Sequence, residues 1–256
     1  MKRRRWHDGA GHGGLACGAG KVYAEKGRGS GRFAATAEVH VAEAMELGAL
    51  DLAALLCSRV CHDIISPVGA IINGLEVLDE DNGEDMRDFA FNLIRKSAAQ
   101  ASAKLQFARL AFGAAGSAGA EIDLADAEKV ARGYMQGEKA EFEWESPRVL
   151  MPKNLVKLLL NLILLAATAI PRGGVVKVTV EGAAASPSFR LRSAGPSARI
   201  PPAFEKLVPG DISGLTVDAQ SVQAFYTGAL ARACRMTVNA RLDGEDVVVE
   251  ATPAAA

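Results

Sequence analysis

The sequence predicts an α+β fold: a hairpin of two long helices, then a layer of helices over one face of a mixed sheet. Three observations lead there. Apolar residues recur at three- and four-residue steps from Leu47 to Asp79 and again from Met86 to Phe112. After Glu121 the pattern changes to short helical stretches alternating with strand-like ones. At 256 residues and 49% apolar composition, the chain is long and apolar enough to bury the core of one or two domains.

Residues 1–44 hold many glycines, few aliphatic side chains and no sustained period, and are expected to be a disordered tail. Eight Lys/Arg against four acids make this segment basic, although the whole chain carries a net charge of −1. A basic arm touching nucleic acid is the sharper alternative, but the overall balance gives no case for a nucleic-acid partner. Organised sequence begins just after Met45, which would also serve as a start. No apolar run reaches the roughly 20 residues of a membrane span, so no membrane partner is expected; the longest, Leu155 to Ile170, is interrupted by Lys157, Asn161 and Thr168. The opening Met1-Lys2-Arg3-Arg4-Arg5 leads into glycine rather than an apolar stretch, unlike a secretory signal. Four scattered cysteines make no disulfide framework and suit a reducing, cytoplasmic compartment.

The first helix carries the most informative stretch, Ser58-Arg59-Val60-Cys61-His62-Asp63-Ile64-Ile65-Ser66-Pro67-Val68. At about 100° per residue, Ser58, Arg59, Ser66, Gly69, Asn73, Glu76 and Glu80 fall within roughly 60° of His62, a face that is polar or small throughout. Cys57, Cys61, Ile64, Val68, Ile71, Ile72, Leu75 and Leu78 form the opposite stripe, expected to face the core. His62 therefore points to solvent. Thiols behind the helix and an imidazole in front cannot converge on one ion, so no metal site is expected. Pro67 sits mid-helix, where proline costs about 3 kcal/mol.

Asp81-Asn82-Gly83 supplies a turn, and Met86, Ala90, Leu93, Ile94, Ala98, Ala101, Leu105, Ala108 and Phe112 mark the second helix. A lone hairpin leaves its apolar stripe half covered, so a homodimer forming a four-helix bundle is expected from residues 47–117. The competing arrangement packs the hairpin on its own C-terminal domain, residues 120–254, as a monomer. In that domain Ile122 to Met135 reads as a helix, Glu141 to Glu145 as a strand, and a helix opens at Pro152 and runs to about Ala169. Pro171-Arg172-Gly173-Gly174 turns into the strand Val175 to Val180; Phe189 to Arg192 is another strand, residues 219–234 a helix, and Met236 to Arg241 and Val247 to Ala251 close the sheet.

The segment His62-Asp63-Ile64-Ile65-Ser66-Pro67-Val68 resembles the phosphoacceptor motif of two-component histidine kinases, His-Glu-Leu-Arg-Thr-Pro-Leu, with histidine, acid, hydroxyl and proline in register. Leu160-Asn161-Leu162-Ile163, followed by paired glycines and a strand, looks like the ATP-binding domain of the same kinases. The departures point away from ATP. Where those kinases place a second asparagine that holds magnesium, this chain has Leu165, which offers no oxygen. The adenine-binding aspartate is replaced by Ser193 in Ser193-Ala194-Gly195-Pro196-Ser197, exchanging a charge-assisted bond of about 1.5–3 kcal/mol for a neutral one of about 0.5–1.5. The glycine-rich phosphate lid is reduced to Ser213-Gly214-Leu215.

Together these features resemble the ChpT family of dimeric histidine phosphotransferases of alphaproteobacterial phosphorelays, over roughly Leu47 to Thr252. The resemblance implies a degenerate ATPase-like α/β domain without a bound cofactor. It also implies a relay in which a hybrid kinase's receiver aspartate passes phosphoryl to the histidine, and the histidine to the receivers of response regulators. Magnesium then belongs to the partner receiver. His62 is the expected covalent phosphoacceptor, neutral imidazole being a competent nucleophile near pH 7. The resemblance gives Asp63 the task of holding the other ring nitrogen. Arg59, one turn earlier, is expected to meet a phosphoryl oxygen, or else to be a solvated surface arginine. Ser66 is expected to bond a water or the phosphoryl group, or else its own helix. Gly69 and Asn73 leave room for a docked receiver helix, against which Ile65 and Ile72 pack. An ATP-using histidine kinase and a non-enzymatic scaffold for receiver domains are the rival readings.

Overall fold

The computed structural model describes residues 47–80, 83–113, 119–212 and 215–255. Helix α1 spans Ala49–Asp79 and α2 spans Glu84–Ala111, as the two apolar periods require. Asp51 in the first turn of α1, and Glu84 and Asp85 against Arg109 at the two ends of α2, complement the helix dipoles. The tail 1–44 and the tip residues 81–82 lie outside the described residues.

The helices pack through small residues. The buried residues of α1 are Pro67 and Gly74, and those of α2 are Ala90, Ser97, Ala101, Phe107 and Ala111. A Cβ on Gly74 would stand 2.7 Å from Ile94 and 3.3 Å from the Ala90 carbonyl oxygen, so glycine sets the approach of the two helices. The expected core stripe splits as a result. Ile64, Ile71 and Leu78 are half-buried, while Cys57, Cys61, Val68, Ile72 and Leu75 remain exposed, so the two thiols do not face the core of this chain. On α2, Phe91 and Leu105 are likewise open. One hairpin can cover only one side of each helix, which leaves the other side bare.

By length and composition α1 is sufficient to cross a membrane, although no uninterrupted apolar run in the sequence reaches that length. Arg59 and Asp63 stand at its middle, where each charge would cost about 2.5–3.5 kcal/mol in hydrocarbon. Its apolar surface is better explained as the uncovered side of a hairpin. The other long apolar run, now α4 at Lys153–Thr168, is buried from Leu155 to Ala166, the environment of a core helix apolar all round.

Beyond the hairpin come β1 (Glu121–Asp123), α3 (Leu124–Met135), β2 (Ala140–Glu145), β3 (Leu150–Pro152), α4, β4 (Gly174–Ala183), β5 (Ser186–Ala194), α5 (Pro202–Leu207), α6 (Val222–Ala233), β6 (Met236–Asp243) and β7 (Asp246–Pro253). The main sheet has the order β2-β4-β5-β7-β6, with β2 parallel to β4 and the remaining pairs antiparallel. Val176, Val178, Phe189, Leu191, Val247 and Val249 point inward against α4. The opposite face carries ion pairs such as Arg190–Glu250 and Lys177–Glu145.

Three local expectations change. The helix expected from Ile122 begins at Leu124, because Glu121–Asp123 pairs antiparallel with Leu150–Pro152 and Asp123 caps α3 by accepting a bond from the Ala125 N–H at 2.8 Å. Pro152 consequently ends a strand and precedes α4 rather than opening it. Helix α5 was not anticipated, and α6 starts at Val222 rather than at residue 219. The C-terminal end of α2, through Phe107 and Ala111, enters the same buried cluster as α3 and α4.

Candidate functional site

Helix α1 presents His62 on its open side, with 63% of the side chain exposed. His62 Nδ1 lies 3.6 Å from Asp63 Oδ1, close enough for charge to act but longer than a hydrogen bond. Asp63 turns inward. Both its oxygens accept from Arg59 Nε, at 3.2 and 3.0 Å, an i,i+4 pair with only 17% and 15% of the side chains exposed. Pro67 has no N–H to offer the carbonyl of Asp63 four residues earlier.

Arg59 is therefore not the solvated surface residue that spacing allowed. One terminal nitrogen reaches the backbone carbonyl of Gln220 at 3.5 Å, just before α6. Arg59 and Tyr134 of α3 line one cavity, close enough for each to shift the ionisation of the other. Burial, and after it the charges of Asp63 and Glu138, holds that phenol well above the usual range. Burial alone would lower the Arg59 pKa, yet Asp63 raises it overall. The cation is thus fixed in place with its charge intact.

Ser66, Gly69 and Asn73 share the His62 side of α1, and Ile65 and Ile72 flank it. Ser66 and Asn73 are exposed, Ile65 and Ile72 are 71% and 51% exposed, and a Cβ on Gly69 would meet nothing within 4 Å. Around Ile65, Gly69, Ile72 and Asn73 the helix is thus open, with apolar side chains on show. Among the described residues no cluster of three or more His, Cys, Asp or Glu could hold a metal ion. Cys57 and Cys61 lie on the bare apolar side with Leu56, Leu105, Ala108 and Phe112 around them.

Inside the second layer, the positions compared with a nucleotide site are engaged internally. Asn161 is fully buried; its amide donates to the carbonyls of Ala111 and Lys157 at 3.1 and 2.7 Å, and its oxygen accepts from Gln223 on α6. Leu165 is 4% exposed within the core. Ser193, fully buried on β5, donates to the Ala166 carbonyl at 2.8 Å. Residues 213–214 of the reduced lid lie outside the described residues.

Residues 124–246 match the family described as the histidine phosphotransferase C-terminal domain. The protein phosphotransferase ChpT of Brucella abortus (strain 2308) is 53% identical over 205 residues, which are 80% of this chain and 97% of that protein. The chain belongs to the ChpT family of histidine phosphotransferases. A bacterial phosphotransferase solved at 1.7 Å is similar as well, with 50% identity, a TM-score of 0.74, and coverage of 81% of this chain and 98% of its own. In this ChpT-family chain the matched domain is the layer that buries Asn161, and the hairpin bearing His62 precedes it.

Three contributors to the site of this ChpT-family protein were not anticipated: Tyr134, the Gln220 carbonyl, and Lys104. Lys104 Nζ lies 5.4 Å from the Tyr134 ring centroid and 3.3 Å from Glu138 Oε1. All three reach Arg59 or Tyr134 from elsewhere in the chain, so no local spacing marks them. An arginine one turn before the Asp63 carboxylate was the only available signal.

Proposed function

We propose that His62 is the covalent phosphoacceptor of a phosphorelay, filled by the receiver aspartate of a hybrid histidine kinase and emptied onto the receiver aspartates of response regulators. The observation that carries this reading is an exposed imidazole whose Nδ1 faces a carboxylate fixed from behind by Arg59. With the N–H of the neutral ring on Nδ1, the Nε2 lone pair is left for attack on phosphorus. The N–P bond forms as the acyl phosphate P–O bond breaks, and the receiver carboxylate leaves with the electron pair. Asp63 offsets the positive charge the ring acquires, and the reverse order of events passes the phosphoryl group on. Arg59 contributes a fixed cation to the same site, with Ser66 available to the phosphoryl group.

Phosphoryl transfer is largely positioning and electrostatics, and in this reading the receiver brings its own magnesium. The protein needs no cofactor. The receiver helix docks along Ile65, Gly69, Ile72 and Asn73, where apolar and small side chains lie open below His62. A second copy covers the other bare side of the hairpin. Exposed Val68 and Leu75 recur at heptad spacing with Cys61, as do Phe91 and Leu105 with Ala98 and Phe112, the pattern of a four-helix seam. The domains in this reading are the tail 1–44, the phosphotransfer hairpin 47–117 and the degenerate ATPase-like domain 120–254.

ATP has no part in the scheme. Leu165, the internal bonds of Asn161, and Ser193 closed onto α4 all support a second domain that binds no nucleotide. Parallel labelling tests this: protein incubated with a receiver carrying labelled aspartyl phosphate takes up acid-labile label, and protein incubated with labelled ATP takes up none. Label from ATP alone would instead favour a histidine kinase, and label from neither would favour a scaffold.

A further inference from the structure

The second domain reaches the phosphoacceptor helix at Arg59. From α3 comes Tyr134, which lines one cavity with Arg59, and from the turn before α6 the carbonyl of Gln220, 3.5 Å from an Arg59 terminal nitrogen. Both are held in place by unrelated contacts. The Tyr134 ring packs on Phe107 of α2 at a 40° tilt, 4.5 Å between centroids, under Lys104. The turn is tied at Asp218, whose Oδ1 accepts from the Gln220 and Ser221 N–H groups at 3.0 and 2.7 Å and from Ser221 Oγ at 2.7 Å.

A solvated arginine at position 59 would be free to swing among rotamers and to release Asp63. Flanked by Tyr134 and the Gln220 carbonyl, its guanidinium presents Nε to both carboxylate oxygens, and the carboxylate lies beside His62 Nδ1. We propose that Tyr134 and the 218–221 turn are positioning elements of the phosphotransfer reaction, acting on His62 through Arg59 and Asp63. The retained ATPase-like layer thereby has a task in the chemistry without touching the phosphoryl group. This inference rests on His62 being the phosphoacceptor.

The decisive variants are Tyr134→Phe, which keeps the packed ring and removes only the hydroxyl, and Arg59→Lys, which keeps the charge and removes the fork. Each is measured in the full chain by single-turnover transfer from a phosphorylated receiver that labels the wild type, and by 15N NMR of the His62 ring. The expected result is a maximal rate lower by about five- to ten-fold, as for a weakened hydrogen bond to a charged group, with half-saturating receiver concentration unchanged. The Nδ1–H tautomer becomes a mixture, and Tyr134→Phe adds nothing in an Asp63→Asn background. Unchanged rate and tautomer in Tyr134→Phe, or losses that add to those of Asp63→Asn, would overturn the inference. A His62→Ala control that still takes up label would instead remove the phosphoacceptor reading beneath it.

Discussion

Arg59 Nε holds both carboxylate oxygens of Asp63, at 3.2 and 3.0 Å, and so keeps an inward-turned anion next to an outward-turned imidazole. Neighbouring helix residues point about 100° apart, which is why one of them can be packed while the other is open. The pair gives the site a fixed charge pattern before any partner arrives.

Asp63→Asn tests that pattern. The amide cannot offset charge on the ring, and transfer is expected to fall about ten- to hundred-fold. Arg59 is left without its anion in a mostly buried setting, so stability should drop by about 1–3 kcal/mol. Single-turnover labelling and urea unfolding measure the two effects separately.

The bare side of the hairpin predicts its own disruption. Leu105→Asp places a charge among Cys57, Cys61 and Phe112, and the proposed dimer should sediment as a monomer while retaining its helix content. Alkylation gives an independent reading. Cys57 and Cys61 should be protected in the wild type and labelled in Leu105→Asp. Cys234, whose thiol burial pushes up to about 11, should react slowly in both.

Much of this could be read from the chain alone. Helices α1 and α2, the strands of the main sheet and the exposure of His62 followed from periods of 3.6 and 2 and from turn residues. What could not be read were features set at long range. Strands β1 and β3 are three residues each and show no period; they exist because they pair with each other. Cys57 and Cys61 sit on an apolar stripe wider than one partner helix can cover, so periodicity marked them as core although they remain exposed. The approach of Tyr134 and Gln220 to Arg59 joins positions far apart in sequence, and only the folded structure reveals it.

Alkaline pH should destabilise the second domain. Burial, then Asp63, raises the Tyr134 hydroxyl above its ordinary 10.0, and burial takes Cys234 from 9.0 to about 11. Both groups are neutral when protonated, so above pH 9 the folded chain binds more protons than the unfolded one. The Cys234 contribution is complete below pH 9 and is lost as pH rises through about 11, whereas that of Tyr134 is complete below pH 10 and is lost only at higher pH. Urea midpoints across that interval should decline, and less steeply in Cys234→Ala.

The most direct measurement is of the bond itself. Wild-type protein and His62→Ala are each mixed with a receiver domain bearing aspartyl phosphate, and phosphorus NMR and peptide mass mapping follow the product. One phosphoramidate is expected, on Nε2 of His62, absent from the variant. A phosphoryl group on any other residue, or equal phosphorylation of His62→Ala, would contradict it.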